Sequence, residues 1–516
     1  MSDPTTTYQH NNNKIAKNTI LLYFRMILTM GVSLYTVRVV FNILGVVDYG
    51  IYNVVGGIVT MFSFLSGSMA TASLRFFAFE LGRKNYDQLK KTFSMTMTIY
   101  VLIGIVILIL AETVGLWFLN NKMTIPVERM EAANWIYQFA ILSFMFTMFG
   151  IPYNAAIIAH ERMNVYAYVS IIEIILKLAI VYVLVIFPLD KLKLYAVLTF
   201  LVTVVTTSIY QIYSRIEFHE CKFQFYWNKS LFKEIITYSG WNLFGMIAGM
   251  FNDQGISILL NIFFGSVINA SRSITYQINN SISQFARNFM VASQPQIIRY
   301  YAENNYSEMH ELIFRSSKIS YLLLLIVSLP IFVEIEYIIR IWLSEIPQYV
   351  ILFTRLAILN MLIESLSYPL ITAAQATGKI KLYQATIGTI IMFNLPICYI
   401  FLKLKYQPEV VFVLTIIISI LCLLLRLLFL NKMINMSIFD FLKHVLKQVV
   451  IITFLSIIVP IFIYKSFNMC FLRLLLNCIF STIFALNAIY HVGFSNNEKN
   501  KIKEVARNLK KFFHEY

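Results

Sequence analysis

The chain contains fourteen apolar stretches, each long enough to cross a lipid bilayer as a helix. Bilayer hydrocarbon is about 30 Å thick, so one spanning helix needs about 20 apolar residues. The stretches lack the alternation of apolar and polar residues typical of strands, and open sheet edges do not occur in lipid. The sequence therefore predicts an all-α, polytopic membrane protein with about 14 transmembrane helices. The predicted spans, numbered 1 to 14, cover residues 18–40, 48–72, 93–119, 134–158, 166–188, 194–214, 236–264, 267–293, 318–340, 350–374, 381–402, 408–430, 443–464 and 470–492.

The amino-acid composition excludes a water-soluble globular protein. Of the 516 residues, 59% are hydrophobic and only 13% are charged. Soluble proteins carry about 25% charged residues, so this chain lacks the polar surface that water requires. The five cysteines show neither the spacing of a disulfide framework nor that of a metal site.

Spans 1 to 6 are echoed by spans 7 to 12. Gly45 matches Gly265 when the second half is aligned on the first, and Pro152 matches Pro369 at nearly the same offset. Repeats of this kind in membrane transporters form two lobes around a central site, and six spans in each lobe predict a pseudo-symmetry axis along the membrane normal. The predicted segments are an N-terminal tail (1–17), two pseudo-symmetric six-helix lobes (18–214 and 233–430), the linker between them (215–232), two extra C-terminal helices (431–492) and a basic tail (493–516).

The basic residues predict the orientation of the chain. The net charge is +16, and most Lys and Arg residues fall in loops on the side that carries both termini. By the positive-inside rule both termini are expected to be cytoplasmic. The charge then reflects topology and an anionic lipid leaflet, and nucleic acid is not an expected partner. The opposite side carries mainly Lys122, Arg129, Lys191, Lys193, Lys403, Lys405, Lys465 and Arg473.

The first hairpin carries a recognisable pattern. Arg38, then Leu44-Gly45, then Asp48-Tyr49-Gly50-Ile51-Tyr52 resembles the motif of the polysaccharide-export flippases, including O-antigen flippases, within the multidrug/oligosaccharidyl-lipid/polysaccharide exporter superfamily. Arg75-Phe76-Phe77 and Asp253 fit the same family. The resemblance implies an inner-membrane flippase that moves an undecaprenyl-pyrophosphate-linked oligosaccharide, such as an O-antigen or capsule repeat unit, by alternating access. Its implied partners are this polyprenyl-pyrophosphate-linked glycan and membrane lipids, without a cofactor.

Several charges lie within the spans, where an ionised side chain is costly and normally faces a cavity or a partner. Arg25 in span 1 has no acidic residue one turn away, and a guanidinium binds phosphate oxygens in a bidentate manner. Glu173 and Lys177 are spaced as an ion pair on one helix. Some arginines near span ends are equally consistent with side chains that reach the interface. The candidate substrate-binding residues are Arg25, Arg38, Asn53, Thr60, Asp253, Arg272, Gln277, Asn280, Gln284, Arg287 and Asn288, and the candidates for coupling to a proton or sodium ion are Asp253, Glu364 and Glu173.

Span 8 divides into a polar and an apolar face. Gln277, Asn280 and Gln284 fall on one side of the helix, and Ile278 and Ile282 on the other. Amide-rich faces in membranes serve helix packing in some proteins; the alternative is a wet cavity wall that binds sugar hydroxyls. Asn53, Thr60 and Ser68 predict a matching polar face on span 2.

Two other functional classes are consistent with the hydropathy. A multidrug or cation antiporter of the same superfamily would have the same architecture, but span 1 offers arginines and no carboxylate. A membrane enzyme such as a polysaccharide polymerase or glycosyltransferase normally has a long outward loop, and the outward connections here are short. The sequence predicts no catalytic residues and no metal ligands, so the expected protein is a transporter and not an enzyme.

Overall fold

The computed structural model describes residues 4–60, 63–123, 125–343 and 346–493, and the regular structure within these ranges is helical. Several helices, such as α8 and α9, continue beyond the predicted spans because polar residues extend the helix where hydropathy no longer marks a span. Their bounds are α1 Pro4–Thr60, α2 Ser63–Gly82, α3 Tyr86–Leu110, α4 Leu116–Lys122, α5 Met130–Ala159, α6 Met163–Ile186, α7 Lys191–Glu217, α8 Lys229–Ala302, α9 Tyr306–Trp342, α10 Val350–Ala376, α11 Lys381–Lys403, α12 Val410–Ile434, α13 Ile438–Phe441, α14 Lys447–Ser466 and α15 Phe471–Ala488.

Two glycines break the longest helices at equivalent positions. Gly45 in α1 has φ 76° and ψ 172°, and Gly265 in α8 has φ 79° and ψ −172°. This extended conformation with positive φ is essentially restricted to glycine. Twelve helical segments of the described chain are long and apolar enough to span a membrane. Since α8 holds one predicted span on each side of Gly265, and α1 continues beyond Gly45 to Thr60 before α2 begins at Ser63, the prediction of about fourteen spans is confirmed.

The turns confirm the internal repeat. Lys84 and Asn304, which are matched by the same offset as Gly45 and Gly265, have φ values of 56° and 57°. Glu161 and Gly378, which are matched by the same offset as Pro152 and Pro369, have φ values of 58° and 73°. The left-handed conformation is uncommon outside glycine, so its recurrence at constant offsets indicates two copies of one folding unit rather than chance.

The chain divides into two compact units. The first contains the described residues through Ile247 together with Val291–Asn305 and Gly378–Gln384. Its core includes Tyr137, a fully buried residue of α5 whose hydroxyl donates a 2.8 Å hydrogen bond to the Ala111 carbonyl. On the predicted outer side of this unit, Arg129 bonds to two aspartates. Its Nε lies 2.8 Å from Asp48 Oδ1, and its Nη1 lies 2.8 Å from Asp190 Oδ2. Arg129, at the start of α5, thus links the aspartate of the first-hairpin motif to Asp190 at the start of α7.

The second unit contains Ala248–Met290, Tyr306–Thr377 and the described residues from Ala385 onward. One of its cores is built on Phe353 of α10, which stacks on Phe412 of α12 with ring centroids 4.5 Å apart. Another joins α8, α9 and α10 through Ile282, Leu325 and Ile358. The two clusters pack the apolar faces of these helices against one another.

Predicted spans 13 and 14 are fixed to α9 by a buried ion pair. Arg473 Nη2 of α15 lies 2.7 Å from Glu334 Oε2 of α9, and Asn477 Nδ2 lies 2.5 Å from Glu334 Oε1. The Arg473 side chain is 5% exposed and that of Glu334 is 0% exposed, so the pair is shielded from solvent. The partners lie far apart in the sequence, so no local pattern reveals the pair.

Candidate functional site

The first unit contains a cavity of about 590 Å³ between α1, α5, α6 and α7. Its size falls in the range of small-molecule sites. Most of its polar lining is hydroxyl groups, and its charged lining is Arg25, Glu173 and Lys177. The hydroxyl-bearing residues are Thr29, Ser33, Thr36, Tyr52, Ser143, Thr147, Ser170, Tyr195, Thr199, Thr203 and Thr206.

Arg25 lies at this cavity, as its sequence position suggested. Its guanidinium stacks on the ring of Tyr166, with Cζ 4.2 Å from the ring centroid. Its Nε is buried and has no hydrogen-bond acceptor among the described residues. A buried donor without an acceptor is costly, so the site favours a ligand that brings acceptor oxygens.

Glu173 and Lys177 form the pair that their spacing predicted. Lys177 Nζ donates to Glu173 Oε1 over 2.6 Å. Since each charge offsets the other, the guanidinium of Arg25 remains the uncompensated charge among those that line the cavity. The lining is therefore biased toward an anion.

The hydroxyl groups present acceptors to the cavity. On α7, Thr199 donates to the Tyr195 carbonyl over 2.9 Å and Thr203 to the Thr199 carbonyl over 3.0 Å. A hydroxyl that donates to its own helix directs its lone pairs elsewhere. This lining was not predicted from the sequence, although Thr199, Thr203 and Thr206 have the spacing of one helical face.

In the second unit, Asp253 and Arg272 lie together, joined by a tyrosine that was not predicted. The Tyr276 hydroxyl donates to Asp253 Oδ1 over 2.9 Å, and Arg272 Nη2 donates to the Asp253 carbonyl over 2.7 Å. Arg272 Cζ also lies 4.1 Å from the centroid of the Tyr276 ring. Asp253 therefore binds a neutral hydroxyl through its carboxylate, while the arginine binds its backbone.

The two faces of span 8 differ in burial as the amphipathic pattern predicts. Ile282 is 3% exposed and Phe289 is 5% exposed. Residues of the predicted polar face are exposed or half-buried, and Arg287 is exposed beside them. The exposed or half-buried members of the face are Gln277, Asn280, Gln284 and Asn288.

The remaining candidates are placed in different ways. Arg38 is exposed and does not line the cavity. The side chains of Asn53 and Thr60 lie outside the described part of the chain. Glu364 accepts a 3.0 Å hydrogen bond from Asn360 of its own helix. Ser68 does not fit the predicted polar wall, because it is buried and donates to the Ser239 carbonyl over 2.6 Å.

On the predicted cytoplasmic side, the first unit joins helix ends from both repeats. Glu161, in the turn after α5, lies 3.3 Å from Arg299 Nη1 near the end of α8. Gln296 Nε2 donates to Glu161 Oε2 over 3.3 Å, and Asn18 Nδ2 donates to the Glu161 carbonyl over 3.3 Å. The Glu161 side chain is 1% exposed, so these contacts form a closed and well-packed junction.

Comparison with known proteins gives a consistent family and fold. The sequence matches the family described as polysaccharide biosynthesis protein over residues 15–300, more than half of the chain. No curated protein matches it.

Among solved structures, the fold is similar to a MATE protein in its bent conformation (12% identity, TM-score 0.70, covering 82% of this chain and 96% of that one). It is also similar to a MOP superfamily transporter from Pyrococcus furiosus whose binding pocket is described as having reverse polarity (14% identity, TM-score 0.64, 82% and 96%). A third is a mutant of the Vibrio cholerae MATE transporter VcmN (15% identity, TM-score 0.62, 83% and 98%). At these identities the likeness establishes the fold.

Proposed function

This chain belongs to the polysaccharide biosynthesis protein family, and we propose on that basis that it is a flippase for lipid-linked oligosaccharides. The substrate is a polyprenyl-pyrophosphate-linked glycan, such as an O-antigen or capsule repeat unit, which crosses the bacterial inner membrane by alternating access. Both termini are cytoplasmic in this proposal. Family and multi-span fold support the transport of a polysaccharide precursor, and the cavity supports the chemical class of that precursor.

The observation that carries the proposal is the uncompensated Arg25 at the hydroxyl-lined cavity. A diphosphate supplies the acceptor oxygens that its buried Nε lacks. The stack on Tyr166 orients the guanidinium, and its partial burial strengthens its attraction for an anion. Arg25 therefore holds the diphosphate.

The hydroxyl groups suit the sugars of such a substrate. The threonine hydroxyls of α7 donate their hydrogens to carbonyl groups of the same helix. Their oxygens can therefore accept hydrogen bonds from sugar hydroxyls. The exposed amide face of span 8 offers both donors and acceptors, and we assign Gln277, Asn280 and Gln284 to the glycan. The polyprenyl tail is apolar and remains in lipid.

Ion coupling is assigned to carboxylates within the predicted spans. Asp253, with its tyrosine partner, is the first candidate for binding a proton or sodium ion, and Glu364 and Glu173 are the others. A multidrug or cation antiporter, the alternative in the same superfamily, needs an available carboxylate in its drug site. The carboxylate at this cavity, Glu173, is already paired with Lys177, which disfavours that alternative.

The test replaces Arg25 with Ala in cells that depend on this protein for surface glycan. We expect export to fall by about tenfold or more, the usual effect of losing a charge-assisted hydrogen bond to a buried ligand. Arg25→Lys should recover part of the export because it keeps the charge without the bidentate geometry. The control is Arg340→Ala, which removes an exposed arginine paired with Glu336 on its own helix. Normal surface glycan in the Arg25→Ala strain, at normal protein level, would overturn the role of Arg25.

A further inference from the structure

The first unit contains a second cavity, of about 390 Å³, on the predicted cytoplasmic side. It lies between α2, the beginning of α8 and the turn that joins α10 to α11. Its lining includes the cations Arg75, Lys233, Lys379 and Lys381 and the single carboxylate of Glu234. Four positive charges against one negative charge make it strongly basic, and nothing in the proposed transport cavity accounts for it.

Arg75 forms the floor of this basic pocket. Its side chain is 6% exposed, and its Cζ lies 4.6 Å from the centroid of Phe76 and 5.6 Å from that of Tyr238. These rings hold the guanidinium plane in place. The carboxylate of Glu234 is 3.8 Å from Nη1 and its side chain is 60% exposed, so its charge is largely screened by water. Arg75 therefore adds a fixed positive charge to the base of the pocket.

Gly378 makes room for this guanidinium. A Cβ at residue 378 would lie 2.5 Å from Arg75 Nη2, and the residue has φ +73°, which side chains rarely adopt. The turn thus brings its backbone against Arg75 and positions the following Lys379 and Lys381 at the pocket.

The mouth of the pocket combines exposed cations with an aromatic surface. Lys233, Lys379 and Lys381 are exposed, and Lys381 Nζ lies 5.8 Å from the ring centroid of Trp241. Hydroxyl groups of Ser230 and Thr237 add donors. A fixed guanidinium below flexible ammonium groups is the donor arrangement that phosphate oxygens require.

We propose that this pocket binds a phosphate or diphosphate group, carried by a lipid head group or by a soluble anion. With a lipid-borne diphosphate, the pocket holds the substrate's head group at the cytoplasmic surface before it reaches Arg25. This placement on the transport route rests on the proposed function, whereas phosphate binding itself does not.

The experiment uses the purified full chain and two probes. Inorganic pyrophosphate, titrated in neutral detergent, represents the soluble anion. Nanodiscs of phosphatidylcholine, with and without phosphatidic acid, represent a lipid phosphate. Binding is followed by tryptophan fluorescence. The signal of the Trp241→Phe variant is subtracted from that of the wild type, which leaves the signal of Trp241 at the pocket. The test variant is Lys379→Gln/Lys381→Gln, and the matched control is Lys432→Gln, an exposed lysine in the last turn of α12.

We expect saturable binding of at least one probe, weakened about tenfold or more in the double lysine variant and unchanged in Lys432→Gln. Arg75→Lys should also weaken binding, and its thermal unfolding shows whether it has folded. A response to pyrophosphate identifies a soluble anion, and a response to phosphatidic acid identifies a lipid head group; either supports the phosphate site. Failure of both probes to bind, or equal affinity in the double variant, would overturn it. In Arg25→Ala the Trp241 signal, which reports only on this pocket, should titrate as in the wild type while export falls, so loss of export and loss of this site are separable results.

Discussion

At the scale of single residues, Glu220 of the linker between the repeats pairs with His160, which follows α5. His160 stacks on Phe218 with ring centroids 4.0 Å apart, and its Nε2 lies 2.6 Å from Glu220 Oε1. Burial alone would raise the pKa of Glu220. Hydrogen bonds from His160 and from the Glu220 backbone, with the positive charge of the two neighbouring histidines, outweigh burial, so the pKa of Glu220 lies below its ordinary value.

The lowered pKa of Glu220 determines how the stability of the protein should depend on pH. A carboxylate whose pKa is lowered by folding stabilises the protein above its unfolded-state pKa, about 4.3, and the contribution is lost as the pH falls through the lower folded-state value. Glu220→Gln should therefore unfold at a lower temperature than the wild type at pH 7. The difference in unfolding temperature between Glu220→Gln and the wild type should become smaller as the pH falls below about 4.3. Thermal unfolding in detergent across this range measures it.

The control for this prediction is Glu217→Gln. Glu217 pairs with Arg162, but both side chains are substantially exposed, so its removal should change little at any pH. A gap between Glu220→Gln and wild type that stays constant down to the acid limit of folding would contradict the assignment.

The residues of the candidate site differ in how well the sequence alone predicts them. Arg25 is visible because a charge in an apolar span is rare and costly. Tyr276 is not, because its role depends on Asp253 being brought within 2.9 Å of its hydroxyl by tertiary packing. The threonines of α7 have a readable spacing, but only the positions of α1, α5 and α6 show that this face borders a cavity.

At the scale of elements, hydropathy predicts the spans well and their ends poorly. Predicted span 9 began at residue 318, whereas α9 begins at Tyr306. Residues 306–317 carry charges and hydroxyls and lie beyond the apolar run, so a hydrophobic criterion cannot detect that the helix continues. From the sequence, Gly45 and Gly265 were expected to lie just after the ends of spans 1 and 7. In the structure they are breaks within α1 and α8, which depends on their backbone conformation and is not visible in hydropathy.

The two break glycines give a prediction that depends on backbone conformation alone. A Cβ at Gly45 or Gly265 meets no atom within 4 Å, so alanine there introduces strain without a clash. Gly45→Ala and Gly265→Ala should each cost about 1–3 kcal/mol of stability. Gly240→Ala, in the same helix as Gly265 and also without a neighbour within 4 Å, should instead be neutral or stabilising by up to about 1 kcal/mol. Equilibrium unfolding in mixed micelles compares them, and equal stability of all three variants would contradict the role of the breaks.

The attachment of α15 to α9 gives a second prediction at this scale. Glu334→Ala leaves the guanidinium of Arg473 buried without its carboxylate, and should cost about 3–5 kcal/mol. Arg473→Ala should cost a similar amount, and the double variant less than the sum, because the two changes remove one interaction.

Glu336→Ala on the same helix is the control for this pair. It removes an i,i+4 pair with Arg340 whose arginine side chain is 55% exposed, and should cost at most about 0.5 kcal/mol. Additive losses in the double variant Glu334→Ala/Arg473→Ala would show that the pair is not coupled.

At the scale of the whole molecule, the internal repeat was predictable because matched glycines and prolines recur at nearly constant offsets. The contacts between helix ends of the two repeats were not predictable. Glu161 and Arg299 lie far apart in the chain, and neither belongs to a sequence motif that would predict the other as its partner. Such pairings depend on tertiary packing, which a repeat pattern does not specify.

The junction at Glu161 gives a prediction about transport as a whole. Alternating access requires the helix ends on the cytoplasmic side to separate in part of the cycle, and Glu161 with Arg299 and Gln296 holds them together. Glu161→Gln removes the charge from this junction, so it should increase the population of the state in which these ends are apart. Ser239 reports on that state because it is 7% exposed and accepts a hydrogen bond from Ser68 through its carbonyl.

The measurement is maleimide labelling of a single cysteine at position 239, in a variant whose five native cysteines are replaced, from the cytoplasmic face of inverted vesicles. We expect slow labelling with Glu161 intact and faster labelling in Glu161→Gln. A cysteine at Ser230, which is exposed, should label rapidly in both and controls for vesicle orientation. The charge swap Glu161→Arg/Arg299→Glu should return the slow rate at position 239, because the ion pair is restored with its signs exchanged. Equal labelling rates at position 239 with and without the Glu161 carboxylate would show that this junction does not limit opening.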